Sequence, residues 1–241
     1  MAMTLDELVT QLRAAYGTQL ASVVLYGSAA TAEHIPKKSD YNVLVLLERI
    51  DMHLLAAASA VARAWREAGN PPPLTMTVEE WRHSSDVFPM EYADILDRHR
   101  VLHGTPPFSG ITVERASLRL QLEQQVMGKL LQLRQGALLA GTDAKRQAEL
   151  LAASVSTMMV LFRAVIRLHG EPMPADSAAI ARRVGEIAGF DVDPFLQALR
   201  HKRGDAKIGH GETSTVLEKY LTGMARLDAY LDTFTFQERS L

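Results

Sequence analysis

The chain has 241 residues, of which 47% are hydrophobic and 22% charged, with a net charge of −2. This composition is typical of a globular protein with an apolar core, organised as one large or two modest domains. The near-neutral charge does not favour nucleic-acid binding, and the absence of cysteine excludes disulfides, thiol catalysis and cysteine-ligated zinc.

The chain carries no basic and apolar leader, so we expect no signal peptide and a cytoplasmic protein. The most apolar stretch, 150–168, is interrupted by serine, threonine and arginine residues. We therefore expect no membrane span and no membrane partner.

The first predicted elements are a helix and a buried strand. Thr4 and Glu7 have the spacing of a capping box, apolar residues recur at helical spacing behind them, and Gly17 is a typical helix stop. The apolar run Val23-Val24-Leu25 inside 20–26 then predicts a buried strand.

A Gly-Ser turn and a second strand follow. Gly27 permits a sharp turn and a close approach to a ligand, and Ser28 offers a hydroxyl beside the N–H groups that open the next helix. Free N–H groups at a helix start bind anions. The second strand is expected to begin at Asp40, so the side chains of Asp40 and Asn42 leave the same face.

This layout resembles the polymerase-beta-like nucleotidyltransferase superfamily, which includes aminoglycoside nucleotidyltransferases and many small bacterial proteins. In that family a Gly-Ser turn is followed, after ten residues, by Ser-Asp-x-Asp at the start of an apolar strand. The match here is Gly27-Ser28 and then Ser39-Asp40-Tyr41-Asn42. It covers residues 20–50 closely and about 1–110 in element order.

The resemblance implies residue roles. Gly27, Ser28, Lys38 and Ser39 would bind the phosphates of a nucleoside triphosphate, although Lys38 is equally compatible with a solvated loop. Position 40 and position 42 would be catalytic and would bind divalent metal, here through Asp40 and Asn42. A third carboxylate belongs on a neighbouring strand.

Two expected carboxylates are replaced by neutral residues. Asn42 stands at the second aspartate, and the neighbouring strand, predicted over 74–78, offers Thr75 and Thr77 as the third position. Glu79 and Glu80 follow that strand and are read as surface residues, because a shift of one residue turns a side chain to the other face.

The family's chemistry makes this loss of charge important. Two divalent ions about 4 Å apart repel each other by roughly 17 kcal/mol at an effective dielectric of about 20. Asn42 can present a carbonyl oxygen to Mg²⁺ but is neutral and cannot act as a general base. We therefore expect a single Mg²⁺ with nucleotide, and impaired or absent two-metal transfer.

The remaining pattern predicts an α+β architecture: an N-terminal mixed sheet with flanking helices, then an all-α helical bundle. A helix is expected over 51–68 and a turn and helix from 88 to about 103, and the Pro- and Gly-rich stretch 105–110 marks a boundary. The predicted domains are 1–108 and 109–241. Helices of the second domain are predicted over 113–140, 144–168, 177–188, 194–203 and 214–234.

Three functions are compatible with these features. The first is a degenerate nucleotidyltransferase, or pseudoenzyme, that binds a nucleotide without turnover. The second is an active enzyme that modifies a small molecule or a protein, with an acceptor that the sequence does not identify. The third is a regulatory or toxin–antitoxin component, for which Arg163 with His169 and Arg203 with His210 have a loosely matching ribonuclease spacing; a helix end for the first pair and a solvated loop for His210 are the simpler interpretations. A homodimer is compatible with all three.

Overall fold

A computed structural model describes residues 3–30 and 41–235, except the side chain of Ser28. It divides into two compact units, Met1–Glu114 and Arg115–Leu241. The sequence predicted a domain boundary after residue 108, and that the two parts are independently folding domains stays a prediction. Within the described residues the architecture is α+β, as predicted.

The first unit contains a four-stranded mixed sheet. Its strands are β1 (Leu20–Tyr26), β2 (Asn42–Leu47), β3 (Leu74–Thr77) and β4 (His99–Gly104). Their order is β3-β2-β1-β4. β1 is antiparallel to both neighbours, and β3 is parallel to β2. The nearly continuous apolar sequences of β1 and β2 are explained by their central positions.

Helices cover both faces of this sheet. On one face, odd-numbered residues of β2 such as Val45 share a core with α1 (Leu5–Tyr16), α2 (Met52–Ala57) and α3 (Ser59–Glu67). On the other face, Leu44 and Leu46 pack with residues of α4 (Val78–His83) and α5 (Pro89–Asp97). Alternation along β2 therefore assigns every position of that strand to one of two cores.

The first helix begins and ends as its sequence predicts. The Thr4 hydroxyl accepts the backbone N–H of Glu7 at 3.3 Å, and the Glu7 carboxylate accepts the backbone N–H of Thr4 at 2.8 Å. Gly17 caps the C-terminus with φ of 53°. The capping box and the glycine stop are both confirmed.

The prediction of one helix over 51–68 was wrong. The helix breaks at Ala58, whose φ of −93° and ψ of 0° leave the helical region. Leu54 in α2 and Val61 and Trp65 in α3 are buried, whereas Leu55 is 42% exposed.

Two elements between β3 and the end of the first unit were missed. The strand predicted to reach Val78 ends at Thr77, and Val78 opens α4. The helix expected to run to about 103 ends at Asp97, after which β4 pairs with β1 along the edge of the sheet. Pairing with a distant strand, rather than local propensity, decides the conformation of 99–104.

The second unit is a helical bundle whose predicted helices are confirmed. Its helices are α6 (Arg115–Ala140), α7 (Ala144–Leu168), α8 (Ser177–Ala188), α9 (Asp193–Arg203) and α10 (Thr213–Asp232). Asp143 and Asp176 accept backbone N–H groups at the starts of α7 and α8. Gly189 and Gly204 end α8 and α9 in the left-handed conformation.

The expectation that no segment has the length and apolarity of a membrane span was wrong. Among the described residues one helix, α7, passes that test, with a mean hydropathy of 1.7 over its most apolar window. Half of that window is buried inside the fold. The core helix of a bundle passes the same test, because it is apolar on nearly every side.

Candidate functional site

The structure brings together Gly27 and Asn42, one residue from each half of the sequence motif. The antiparallel register pairs Tyr26 with Asn42 across β1 and β2, and Gly27 follows with φ of +77°. A Cβ atom added to Gly27 would lie 3.4 Å from Nδ2 of Asn42. A side chain at position 27 would therefore be strained by the positive φ and would contact the Asn42 amide.

The backbone of the Gly-Ser turn is hydrogen-bonded to the residue that precedes the edge strand β4. Residues Gly27–Ala30 form a 3₁₀ turn. The N–H of Gly27 donates to the carbonyl oxygen of Arg98 at 3.0 Å. This N–H is engaged within the fold, so an anion at the turn would be bound by the N–H groups that follow it.

Part of the predicted site lies outside the described residues. Lys38, Ser39 and Asp40 belong to 31–40, which the structure does not describe, and the side chain of Ser28 is not described either. β2 itself begins at Asn42, two residues later than expected. Its start is held by Tyr41, whose N–H donates to Oδ1 of Asn70 at 3.1 Å.

The two threonines proposed for the third carboxylate position lie on the opposite face of the sheet from Asn42. Asn42 pairs with Tyr26, which packs with the core around Leu44 and Leu46. Thr75 and Thr77 pair with Val45 and Leu47, which belong to the other core. Leu74, the partner of Leu44, is the residue of β3 that lies nearest to Asn42 on the same face of the sheet.

Both threonine hydroxyls also have partners within the chain. The hydroxyl of Thr75 donates to the carbonyl oxygen of Pro73 at 3.2 Å. The hydroxyl of Thr77 accepts the N–H of Glu80 at 3.0 Å, and the Glu80 carboxylate accepts the N–H of Thr77 at 2.7 Å. Glu80 is thus one half of the capping box that starts α4, a pattern readable from the sequence.

Acidic groups beside the motif come from α5, which sequence reasoning did not connect with the site. Burial raises the pKa of the Tyr26 hydroxyl, and the charges of Asp94 and Glu91 raise it further. The guanidinium of Arg98 pairs with Asp94 one helical turn earlier. Tyr26 shares the face of Asn42, so two carboxylates and one guanidinium lie on that side of the sheet.

A stacked aromatic pair holds α4 and α5 together on this face. The rings of Trp81 and Tyr92 are parallel to within 14° at a centroid distance of 4.1 Å, and the Tyr92 hydroxyl donates to the carbonyl oxygen of Trp81 at 2.8 Å. Burial raises the pKa of Tyr92 to about 12. This contact helps to position the helix that carries Glu91 and Asp94.

The described residues contribute little to a metal centre of the expected kind. Asn42 is the one expected ligand among them, and it offers a neutral amide oxygen. Within 3–30 and 41–235, no group of three or more histidine, aspartate or glutamate residues is placed to hold a metal ion. A metal ion at Asn42 would need Asp40 and the oxygens of a bound phosphate.

Two polar residues of the bundle, Glu123 and His169, have structural partners. The guanidinium of Arg119 and the carboxylate of Glu123 form the i, i+4 ion pair at 3.0 Å. His169 ends α7, and its Nε2 lies 2.6 Å from the hydroxyl of Tyr230. Burial lowers the pKa of His169, which agrees with a neutral imidazole in this hydrogen bond.

The fold of this chain is similar to that of a solved structure. A crystal structure of spectinomycin adenyltransferase AAD(9) from Enterococcus faecialis, with ATP and spectinomycin, matches with a TM-score of 0.60. The match covers 95% of this chain and 100% of the other, at 11% sequence identity. The chain has a nucleotidyltransferase-like fold.

This fold likeness does not come with detectable sequence similarity. No protein-family model matches the chain, and no curated protein matches it. The nucleotidyltransferase-like fold therefore rests on the structural match alone.

Proposed function

We propose that this protein binds a nucleoside triphosphate with Mg²⁺ at the Gly27-Ser28 turn and the start of β2, and transfers nucleotides poorly or not at all. The observation that carries the proposal is the pairing of Tyr26 with Asn42, which places Gly27 so close to Asn42 that an added Cβ atom would lie 3.4 Å from its Nδ2. The adenyltransferase of similar fold holds ATP, which favours a nucleotide as the ligand here.

The nucleotide would lie with its phosphates over the turn. Ser28 and the N–H groups after Gly27 are suited to phosphate oxygens, and Lys38 and Ser39 would add a positive charge and a donor. Asp40 and the amide oxygen of Asn42 would hold one Mg²⁺, which neutralises phosphate charge when bound.

Weak transfer follows from the charges. In nucleotidyl transfer an acceptor hydroxyl oxygen bonds to the α-phosphorus, the hydroxyl proton leaves to a base, and pyrophosphate is expelled. Asn42 cannot accept that proton. Thr75 and Thr77 are neutral and lie on the other face of the sheet, so they add no anion beside Asn42. A site with fewer anions holds a second dication less well.

The carboxylates of α5 support an active enzyme as the second candidate. Glu91 and Asp94 act on Tyr26, on the face that carries Asn42. They would supply the negative charge that β3 lacks. Measurement of pyrophosphate release with Mg²⁺ or Mn²⁺, across the four triphosphates and a panel of acceptor hydroxyl compounds, separates the two candidates: robust turnover lost in Asp94→Asn supports the active enzyme.

Binding itself is tested by calorimetry with Mg²⁺ and ATP or GTP. We expect Gly27→Ala to weaken binding at least tenfold, because the new methyl group meets the Asn42 amide at 3.4 Å and the positive φ is strained. Gly69→Ala is the matched control: it has the same backbone strain, with φ of +93° and nothing within 4 Å.

Equal loss in the two glycine variants would show that strain elsewhere, and not the site, weakens binding. Absence of heat with every triphosphate at millimolar concentration, under conditions where the wild-type protein is folded, would overturn the proposal.

A further inference from the structure

The exposed side of α6 carries an apolar stripe that the bundle does not use. It consists of Leu120, Met127, Leu131 and Leu138, which are 65%, 41%, 48% and 83% exposed. The opposite side of the helix supplies Leu122, Val126 and Leu130 to the core, all nearly inaccessible. Helix α6 is therefore apolar on two sides, and within residues 3–30 and 41–235 only one of them is covered.

The four residues form one straight line along the helix. At 3.6 residues per turn their side chains fall within an arc of about 40°, over a length of about 27 Å. They are separated by seven, four and seven positions, which is the spacing of the seam in a two-helix coiled coil.

The stripe is symmetric about residue 129, and this symmetry suits a second copy of the same helix as its partner. Leu120 and Leu138 lie nine positions to either side, Gln124 and Arg134 five, and Met127 and Leu131 two. A twofold axis through this point sets an antiparallel second α6 so that Leu120 meets Leu138 and Met127 meets Leu131. In such an interface each contact occurs twice, as closed dimers require.

The polar positions of the line agree with this pairing. Gln124 and Arg134 are the two interruptions of the apolar spacing, both are exposed, and the axis places each opposite the other. The amide oxygen of Gln124 can accept from the guanidinium of Arg134 in the second copy. No like charges face each other along the line, which is the arrangement that favours self-association.

We propose that the α6 stripe is a homodimer interface, formed by antiparallel pairing of α6 from two copies of this chain. A helix about 10 Å wide and about 27 Å long covers roughly a third of the ~800 Å² per partner of a standard interface. The dimer is therefore weak and depends on protein concentration. The proposal does not rest on nucleotide binding.

Sedimentation equilibrium of the full chain over a wide concentration range tests the interface. We expect reversible dimerisation that Leu131→Glu abolishes, because the glutamate would be buried against an apolar partner. Leu139→Glu is the matched control: Leu139 is 79% exposed on the same helix, about a quarter-turn away from the stripe. It should dimerise like the wild type.

A charge pair tests the antiparallel register. Met127→Glu and Leu131→Lys should each be monomeric alone, and an equimolar mixture should form a heterodimer, because the axis sets position 127 of one copy against position 131 of the other. Circular dichroism confirms that each exposed substitution leaves the helices intact.

A wild type that stays monomeric at its highest soluble concentration would overturn the proposal. Equal loss of dimerisation in Leu139→Glu would overturn it too, as would a mixture of Met127→Glu and Leu131→Lys that fails to associate. Binding of the stripe to phosphatidylcholine vesicles in place of a second copy would also overturn it.

Discussion

Asn42 is the one expected metal-binding residue within the described part of the chain. It lies against Gly27, on the face of β2 that also carries Leu44 and Leu46. Its neutral side chain departs from the acidic residue expected there. The register of β3 now identifies where a further carboxylate would have to be placed to share its face.

We expect Asn42→Asp to tighten Mg²⁺ binding, and Asn42→Asp with Leu74→Asp to tighten it by a further order of magnitude. Leu74 is paired with Leu44, so its Cα lies about 8 Å from that of Asn42 on the same face. Leu74 is 41% exposed, so the substitution should be tolerated. Calorimetry with Mg²⁺ and a non-hydrolysable triphosphate measures the change.

The control for this experiment is Asn42→Asp with Thr75→Asp. Position 75 is one residue along β3 and faces the other core. It should give no gain beyond Asn42→Asp alone. An equal gain from both double variants would show that the faces of β3 are reversed relative to this register.

His169 is expected to make the stability of the bundle depend on pH. Burial lowers its pKa, with Arg183 and Arg115 lowering it further and Glu171 opposing them. As the pH falls below the ordinary value of 6.5, the unfolded chain binds a proton first. Stability that is present above this pH is therefore lost as the pH falls towards the lowered pKa.

We expect the wild-type Tm to fall between about pH 7.5 and 5.5, and His169→Gln to remove much of that dependence while retaining a hydrogen-bonding group near Tyr230. His210→Gln, at an exposed loop position, is the control and should follow the wild-type profile. Parallel profiles in all three proteins would contradict this role for His169.

At the scale of elements, Thr77 connects β3 to α4 in the first unit and takes part in both. Thr77 is the last residue of β3 and the N-cap of α4. Its hydroxyl and the Glu80 carboxylate each accept a backbone N–H, which fixes where the strand stops. Trp81 follows within the same short helix and is buried.

We expect Thr77→Val to lower the free energy of unfolding by about 1 kcal/mol, because valine keeps the shape but cannot accept the N–H of Glu80. Urea unfolding measures the change. Thr75→Val is the control: its hydroxyl bonds only locally to Pro73, and valine suits a strand. A loss in Thr75→Val as large as in Thr77→Val would contradict the capping role.

At the scale of the whole molecule, each unit has its own core. Leu122, Leu151, Phe162 and Tyr220 are nearly inaccessible within the helices of the second unit, and two cores flank the sheet of the first. A fragment of residues 115–241 is therefore expected to fold alone, because the burial that stabilises its helices is internal.

Circular dichroism of that fragment should show the helical content of the bundle and a cooperative thermal transition. The fragment 1–114 is its counterpart and should likewise melt cooperatively. If 115–241 shows only the gradual, non-cooperative loss typical of isolated helices, the bundle does not fold independently.

The sequence alone predicted the bundle, the first helix and the buried strands, and its motif indicated the nucleotidyltransferase-like fold that the structural match supports. These features are local: caps such as Thr4 with Glu7, stops such as Gly189, and helical spacing act within a few residues of each other.

Only the tertiary structure decided the edge strand β4, the break at Ala58 and the face on which Thr75 lies. It also brought the carboxylates of Glu91 and Asp94 to the side of the sheet that carries Asn42. Each of these depends on pairing or packing between segments far apart in the chain. Strand register in particular is set by the neighbouring strand, and a shift of one residue reverses the face of every side chain.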